Sequence, residues 1–172
     1  MKKVFVLIYS ALSSLLFSSS LLASDIEVSF TDKKWDGKII PLDEVCSNYN
    51  VEAGSTPGLY IENLPDGAKK VILKFNDKTF TKMDNGGHGI LSFDIEEDVT
   101  NVEIPPQIGE TFELDEGFSV VNAHTGTRFG KQEGAYLAPC SGGKGNTYTV
   151  DISILNSDGK VLASKELVLG KY

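Results

Sequence analysis

Apolar and polar positions alternate with a period of two along most of the chain after residue 24. Ile26, Val28 and Phe30 alternate with Glu27 and Ser29, which predicts a half-buried strand. Leu59–Glu62 predicts a short strand, and Val71–Phe75 a stronger one, rich in β-branched and large apolar residues. From His88 to Ile95, the residues Leu91, Phe93 and Ile95 share one face. The same alternation assigns His88 to the opposite face, with Ile90. Phe118–Ala123 predicts a further strand. Tyr148, Val150, Ile152 and Ile154 alternate with Thr147, Thr149, Asp151 and Ser153 in the clearest pattern of all. Asn156-Ser-Asp-Gly159 then reads as a hairpin turn into a final strand within Lys160–Leu169.

The intervals carry turn formers. Leu64-Pro65-Asp66-Gly67 is a tight turn, with Pro pre-setting one dihedral and Gly tolerating the left-handed one. Residues 46–58, 76–87 and 124–144 read as loop, and 96–117 as short strands and irregular chain. No sustained 3.6-residue period occurs after residue 24. The expectation is a mainly β fold, an antiparallel β-sandwich with few short helices. No repeat or linker divides it, so residues 24–172 are expected to form a single domain.

The first 23 residues change the picture. Lys2 and Lys3 precede an apolar, serine-diluted run from Val4 to Leu22, then Ala23 and the polar Ser24-Asp25. This is the order of a secretory signal peptide, 1–23, predicting a periplasmic or secreted protein with no stable membrane insertion after cleavage. The chain carries 16 basic and 24 acidic residues, a formal net charge of −8. Loss of Lys2 and Lys3 takes this two units lower, to −10. That balance argues against nucleic-acid partners and against adhesion to anionic membranes.

Two cysteines survive cleavage, Cys46 and Cys140. An even count in an exported chain predicts a disulfide, the alternative being two buried thiols. A bridge would close a loop of roughly ninety residues and stabilise by ~4 kcal/mol in the chain-entropy account. No CxxC or HxxxH spacing supplies zinc ligands, and no cofactor is expected.

The chemistry concentrates in Phe129–Leu155, FGKQEGAYLAPCSGGKGNTYTVDISIL. Its glycine-rich loop lets main-chain N–H groups approach an anion, and Asn146 and Tyr148 add side-chain hydrogen bonds. It is not a P-loop, because Lys144 is followed by Gly145 and then by a strand. The Gly86-Gly87 approach leaves space around His88. His124, in Asn-Ala-His-Thr-Gly, reads as an exposed loop residue. No Gly-x-Ser-x-Gly elbow or other nucleophile–base pair is legible, so the chain is not expected to be an enzyme. The acidic runs Asp94–Asp98 and Glu113–Glu116 read as solvated charge.

Several ordered motifs resemble one family. Phe129-Gly130-Lys131, Gly134, Tyr136, Pro139-Cys140, Gly145 and Tyr148 stand in the order of a F-G-K…G-Y…P-C…G-x-H-R-Y segment. Asp36-Gly37, Ile40-Pro41, Cys46, Asn50 and Pro57-Gly58-Leu59 precede it. Asn63-Leu-Pro-x-Gly-Ala-Lys69 and the closing Gly159-Lys-Val-Leu-Ala163…Leu169-Gly-x-Tyr172 complete it. The set is similar to the phosphatidylethanolamine-binding proteins, the Raf kinase inhibitor-like family, in their bacterial exported branch. The resemblance implies a β-sandwich with a small pocket for anions or phosphorylated head groups, and binding or inhibition instead of turnover. It implies His88, Asn76 or Asp77, Pro139, Asn146 and Tyr148 as ligand-binding residues. The sequence departs from the family pattern in places. Asn76-Asp-Lys-Thr-Phe80 stands for Asp-Pro-Asp-Ala-Pro, and Asn146-Thr147 for a His-Arg pair.

Three functional expectations follow. The first is a non-enzymatic binder of a small anion or phospholipid head group. The second is a protein-interaction module, such as a protease inhibitor, with a vestigial pocket. The third is a His88-dependent hydrolase.

Overall fold

Alternation with period two builds strands, and the described residues contain eight. The computed structural model describes residues 25–172. The apolar leader read as a signal peptide lies outside them. The strands are β1 (Glu27–Phe30), β2 (Leu59–Glu62), β3 (Lys70–Asp77), β4 (Ile90–Asp94), β5 (Asn101–Ile104), β6 (Phe118–Asn122), β7 (Thr147–Leu155) and β8 (Val161–Lys171). A single 3-10 turn, Thr81–Met83, is the only helical element among the described residues. The fold is therefore mainly β, as its pattern predicts.

The strands form two antiparallel sheets, ordered β1-β2-β5 and β6-β4-β3-β7-β8. One apolar cluster draws on both. Leu59, Ile61 and Ile104 come from the smaller sheet, and Val71, Leu73, Phe75, Val150, Ile152 and Ile154 from the larger. Each such fully buried side chain stabilises the fold by about 1.5–3 kcal/mol relative to exposure.

The register between β3 and β7 positions the site. Val71, Leu73 and Phe75 face Ile154, Ile152 and Val150 across the ladder, all on the core side. The next partners on that face are Asp77 and Tyr148. The core stripe thus ends in a carboxylate and a phenol side by side. On the other face, Asn76 pairs with Thr149 and donates to its hydroxyl at 3.2 Å.

β4 departs from the expected alternation at its entrance. Phe75 accepts a hydrogen bond from the His88 N–H and donates one to the Gly89 carbonyl. Two residues therefore oppose one, the arrangement of a β-bulge. Gly89 sits at φ 114°, and a Cβ there would overlap the Ala135 carbonyl oxygen. Only glycine fits, and the extra residue reverses the facing of everything before it. His88 is consequently not on the outer face with Ile90. It is buried on the core side, while Ile90 pairs with Lys74 outside.

The turn formers act where expected. Asn156 and Gly159 close the β7–β8 hairpin through the Gly159 N–H to Asn156 carbonyl bond at 3.0 Å. Cys46 and Cys140 form a disulfide with Cα atoms 5.2 Å apart. No helix among the described residues is long and apolar enough to cross a membrane.

Candidate functional site

The end of the β3–β7 core stripe opens into a cavity of about 300 Å³. Its sheet side is lined by Asp77, His88 and Tyr148, and its loop side by Tyr49, Phe80, Phe129, Cys140, Ser141, Lys144 and Asn146. Of the residues expected to bind ligand, His88, Asp77, Asn146 and Tyr148 converge here. Asn76 does not line it: its side chain lies on the other face, where the amide oxygen accepts from Gly86 N at 2.8 Å. Pro139 is buried behind the wall and accepts the Cys46 N–H at 3.1 Å.

Asp77 organises the floor. One carboxylate oxygen accepts from the main-chain N–H groups of Thr79 and Phe80, both at 2.9 Å. This turn sends the chain out of β3 and carries Phe80 to the cavity mouth. The other oxygen accepts from Asn146 Nδ2 at 2.6 Å. Asn146, at the start of the final hairpin, is thereby tied to the floor.

His88 and Tyr148 meet edge to face, their ring centroids 5.3 Å apart. His88 Nδ1 donates to the Leu137 carbonyl at 2.7 Å, which leaves Nε2 as an acceptor in the neutral ring. Burial pushes the His88 pKa down to about 4, despite the opposing pull of the Leu137 carbonyl and of Asp77. The imidazole is therefore neutral near pH 7, so the cation of the lining is Lys144. Burial likewise pushes the Tyr148 hydroxyl up to about 12. It stays protonated, and its oxygen accepts from Cys140 N at 3.2 Å.

The rim was not legible in the sequence. Tyr49, Phe80 and Phe129 are 54%, 38% and 38% exposed around the mouth, and Phe80 and Phe129 pack edge to face at 5.9 Å. They come from three separate loops with no periodic signal. Exposed aromatics beside a cleft would have been the only cue.

Beneath the rim, Glu110 ties two loops together. It accepts from Ser47 Oγ at 2.5 Å, from Ser47 N at 2.8 Å and from Lys131 N at 2.8 Å. Burial raises its pKa, but these hydrogen bonds outweigh burial and hold the carboxyl below its ordinary range. His124 is a correction: it is 5% exposed, not a surface loop residue. Its main chain pairs with Gly134, which draws the ring under the 125–134 loop.

Among the described residues no group of three or more His, Cys, Asp or Glu could hold a metal ion. In comparisons with known proteins, no family model matches the chain and no curated protein matches it.

Proposed function

We propose that the protein is an exported, non-enzymatic binding protein whose cavity takes a small anion or phosphorylated head group. One observation carries this reading: Asp77, His88, Asn146 and Tyr148 converge with Ser141 and Lys144 on one open cavity. The Lys144 ammonium meets the anionic end of the ligand and the Asn146 amide offers a hydrogen bond, while the Ser141 oxygen, its proton given to the Tyr172 carbonyl, can only accept. His88 is neutral and accepts from a ligand donor through Nε2. Asp77 makes the floor negative, which favours a ligand carrying a proton or an ammonium at its inner end. The likeness to phosphatidylethanolamine-binding proteins supports the same reading, as do the leader and the disulfide for export.

Titration calorimetry with inorganic phosphate, phosphoethanolamine and nucleotides tests it. Saturable binding is expected, weakened about tenfold or more by Lys144→Ala through loss of one charged hydrogen bond. Absence of saturable binding at millimolar ligand overturns the proposal, as does binding indifferent to His88→Ala.

The exposed aromatic rim favours a second reading, a protein-interaction module whose anchors are Tyr49, Phe80 and Phe129. A partner retained from a periplasmic extract by the wild type and lost by Phe80→Ala with Phe129→Ala supports it. The hydrolase reading is weakest. His88 Nδ1 is bonded to a main-chain carbonyl, and Ser141 Oγ donates to the Tyr172 carbonyl at 2.5 Å. No carboxylate orients the ring as an activated nucleophile requires. His88-dependent turnover of esters or phosphoesters would revive it.

A further inference from the structure

The disulfide is part of the cavity wall, and its two sulfurs are unequal. Cys46 is fully buried. Cys140 is partly exposed and lines the cavity, in a chain whose other lining groups include Lys144 and Asp77. We propose that Cys140 is a thiol-exchange site for small zwitterionic thiols. The cavity admits the thiol, Lys144 takes its carboxylate, and Asp77 takes its ammonium. A disulfide is attacked at whichever sulfur a thiolate can reach, and here that is Cys140 Sγ.

The step balances. The incoming thiol gives its proton to solvent, and its thiolate lone pair forms a bond to Cys140 Sγ. The Cys46–Cys140 bond breaks, and its electron pair leaves on Cys46 Sγ, which takes a proton from solvent. The incoming sulfur is oxidised to the disulfide level as the Cys46 sulfur is reduced to a thiol. The product is a mixed disulfide on Cys140 with a free Cys46. A lysine beside the site favours attack by a thiolate.

The wall survives this exchange because other bonds hold it. Tyr148 lies in β7, paired with both β3 and β8, and the Cys46 N–H bonds to the Pro139 carbonyl independently of the sulfurs. The site needs no other occupant of the cavity, so its test is separate from that of head-group binding.

Wild-type protein is incubated with L-cysteine under native conditions, quenched with an alkylating agent, and analysed by intact mass and peptide mapping. The expected product carries cysteine on Cys140 and the alkyl group on Cys46. Adducts on Cys46, or adducts appearing only as the near-ultraviolet dichroism is lost, overturn the proposal. As a second measurement, Cys46→Ala and Cys140→Ala are each reacted with cystine. The thiol of Cys46→Ala is expected to react at least about tenfold faster, because reactivity follows access. Equal rates, or faster reaction of Cys140→Ala, overturn it. Cysteine is also expected to outpace mercaptoethanol once each is normalised to its rate with a small-molecule disulfide. Equal normalised rates refute the zwitterion preference.

Discussion

The cavity has two walls made in different ways. The floor is sheet. Asp77, His88 and Tyr148 stand on β3, at the mouth of β4 and on β7, each locked by main-chain ladders and buried to within a few per cent of complete exclusion from water. The rim is loop. Tyr49, Phe80, Phe129 and Lys144 come from separate segments, exposed and joined by one disulfide and a few side-chain bonds. The contrast teaches a division of labour. The floor sets protonation and geometry, and errors in it cost stability. The rim sets access and charge, and with its disulfide intact, changes to its exposed side chains should cost little stability.

Cutting the covalent tie between the loops of the rim should have the largest effect. The double variant Cys46→Ala with Cys140→Ala opens a loop closed across 94 residues. Urea unfolding should show a loss of about 4 kcal/mol in the chain-entropy account. An unchanged midpoint would mean that closing this loop contributes no chain-entropy stabilisation.

The next test breaks the floor. Gly89→Ala places a Cβ against the Ala135 carbonyl at φ 114°, where a side chain is strained whatever the space. It should cost about 3 kcal/mol, combining backbone strain with loss of the bulge that turns His88 inward. An alanine at Gly143 is the contrast: φ is also positive there, but a Cβ would meet nothing within 4 Å. Its cost should be limited to about 1 kcal/mol of backbone strain.

The same division explains what the sequence reveals. Sheet residues follow a two-residue period, so β7 and its buried set, Tyr148, Val150, Ile152 and Ile154, are legible. Tyr148 and Asn146 are expected at the cavity from the family resemblance, which leaves Asn76 and Asp77 as alternatives that only the β3–β7 register separates. His88 is expected in the same set and does line the cavity, but its facing is not legible, because one left-handed glycine reverses the alternation. The burial of His124 is illegible for a related reason: a main-chain bond to Gly134, ten residues on, folds its loop inward. Asn76 fails by parity, being one residue from Asp77 and therefore on the other face. The aromatic rim is assembled only by tertiary packing of loops, which leaves no local trace.

His88 gives the floor a pH signature. Its pKa falls from 6.5 to about 4 on folding because burial disfavours the charged ring. Between those values the unfolded chain binds more protons than the folded one, so stability rises with pH through this window and is lost on acidification. The loss should approach about 3 kcal/mol by pH 4 and level off below it, as far as this group is concerned. His124, also held low by burial, adds in the same sense. Unfolding midpoints from pH 7 to 4 for wild type and His88→Asn measure the difference. Equal slopes for the two proteins would mean that the ring is not the group excluded from protonation.

The smallest expected effect on stability is the sharpest test of the rim. Lys144 is exposed, on a glycine loop where a Cβ added to either neighbour, Gly143 or Gly145, would meet nothing within 4 Å. Lys144→Ala should therefore change the unfolding free energy by no more than about 0.5 kcal/mol, as for other surface positions. Yet it removes the cation of the cavity lining while Asp77 stays in place, so the same substitution should abolish most anion affinity. The diagnostic is the dissociation: unchanged denaturation with weakened phosphoethanolamine binding assigns Lys144 to recognition alone. A parallel loss of both would place it in the scaffold, and the distinction between floor and rim would fail at the residue where it is drawn most strongly.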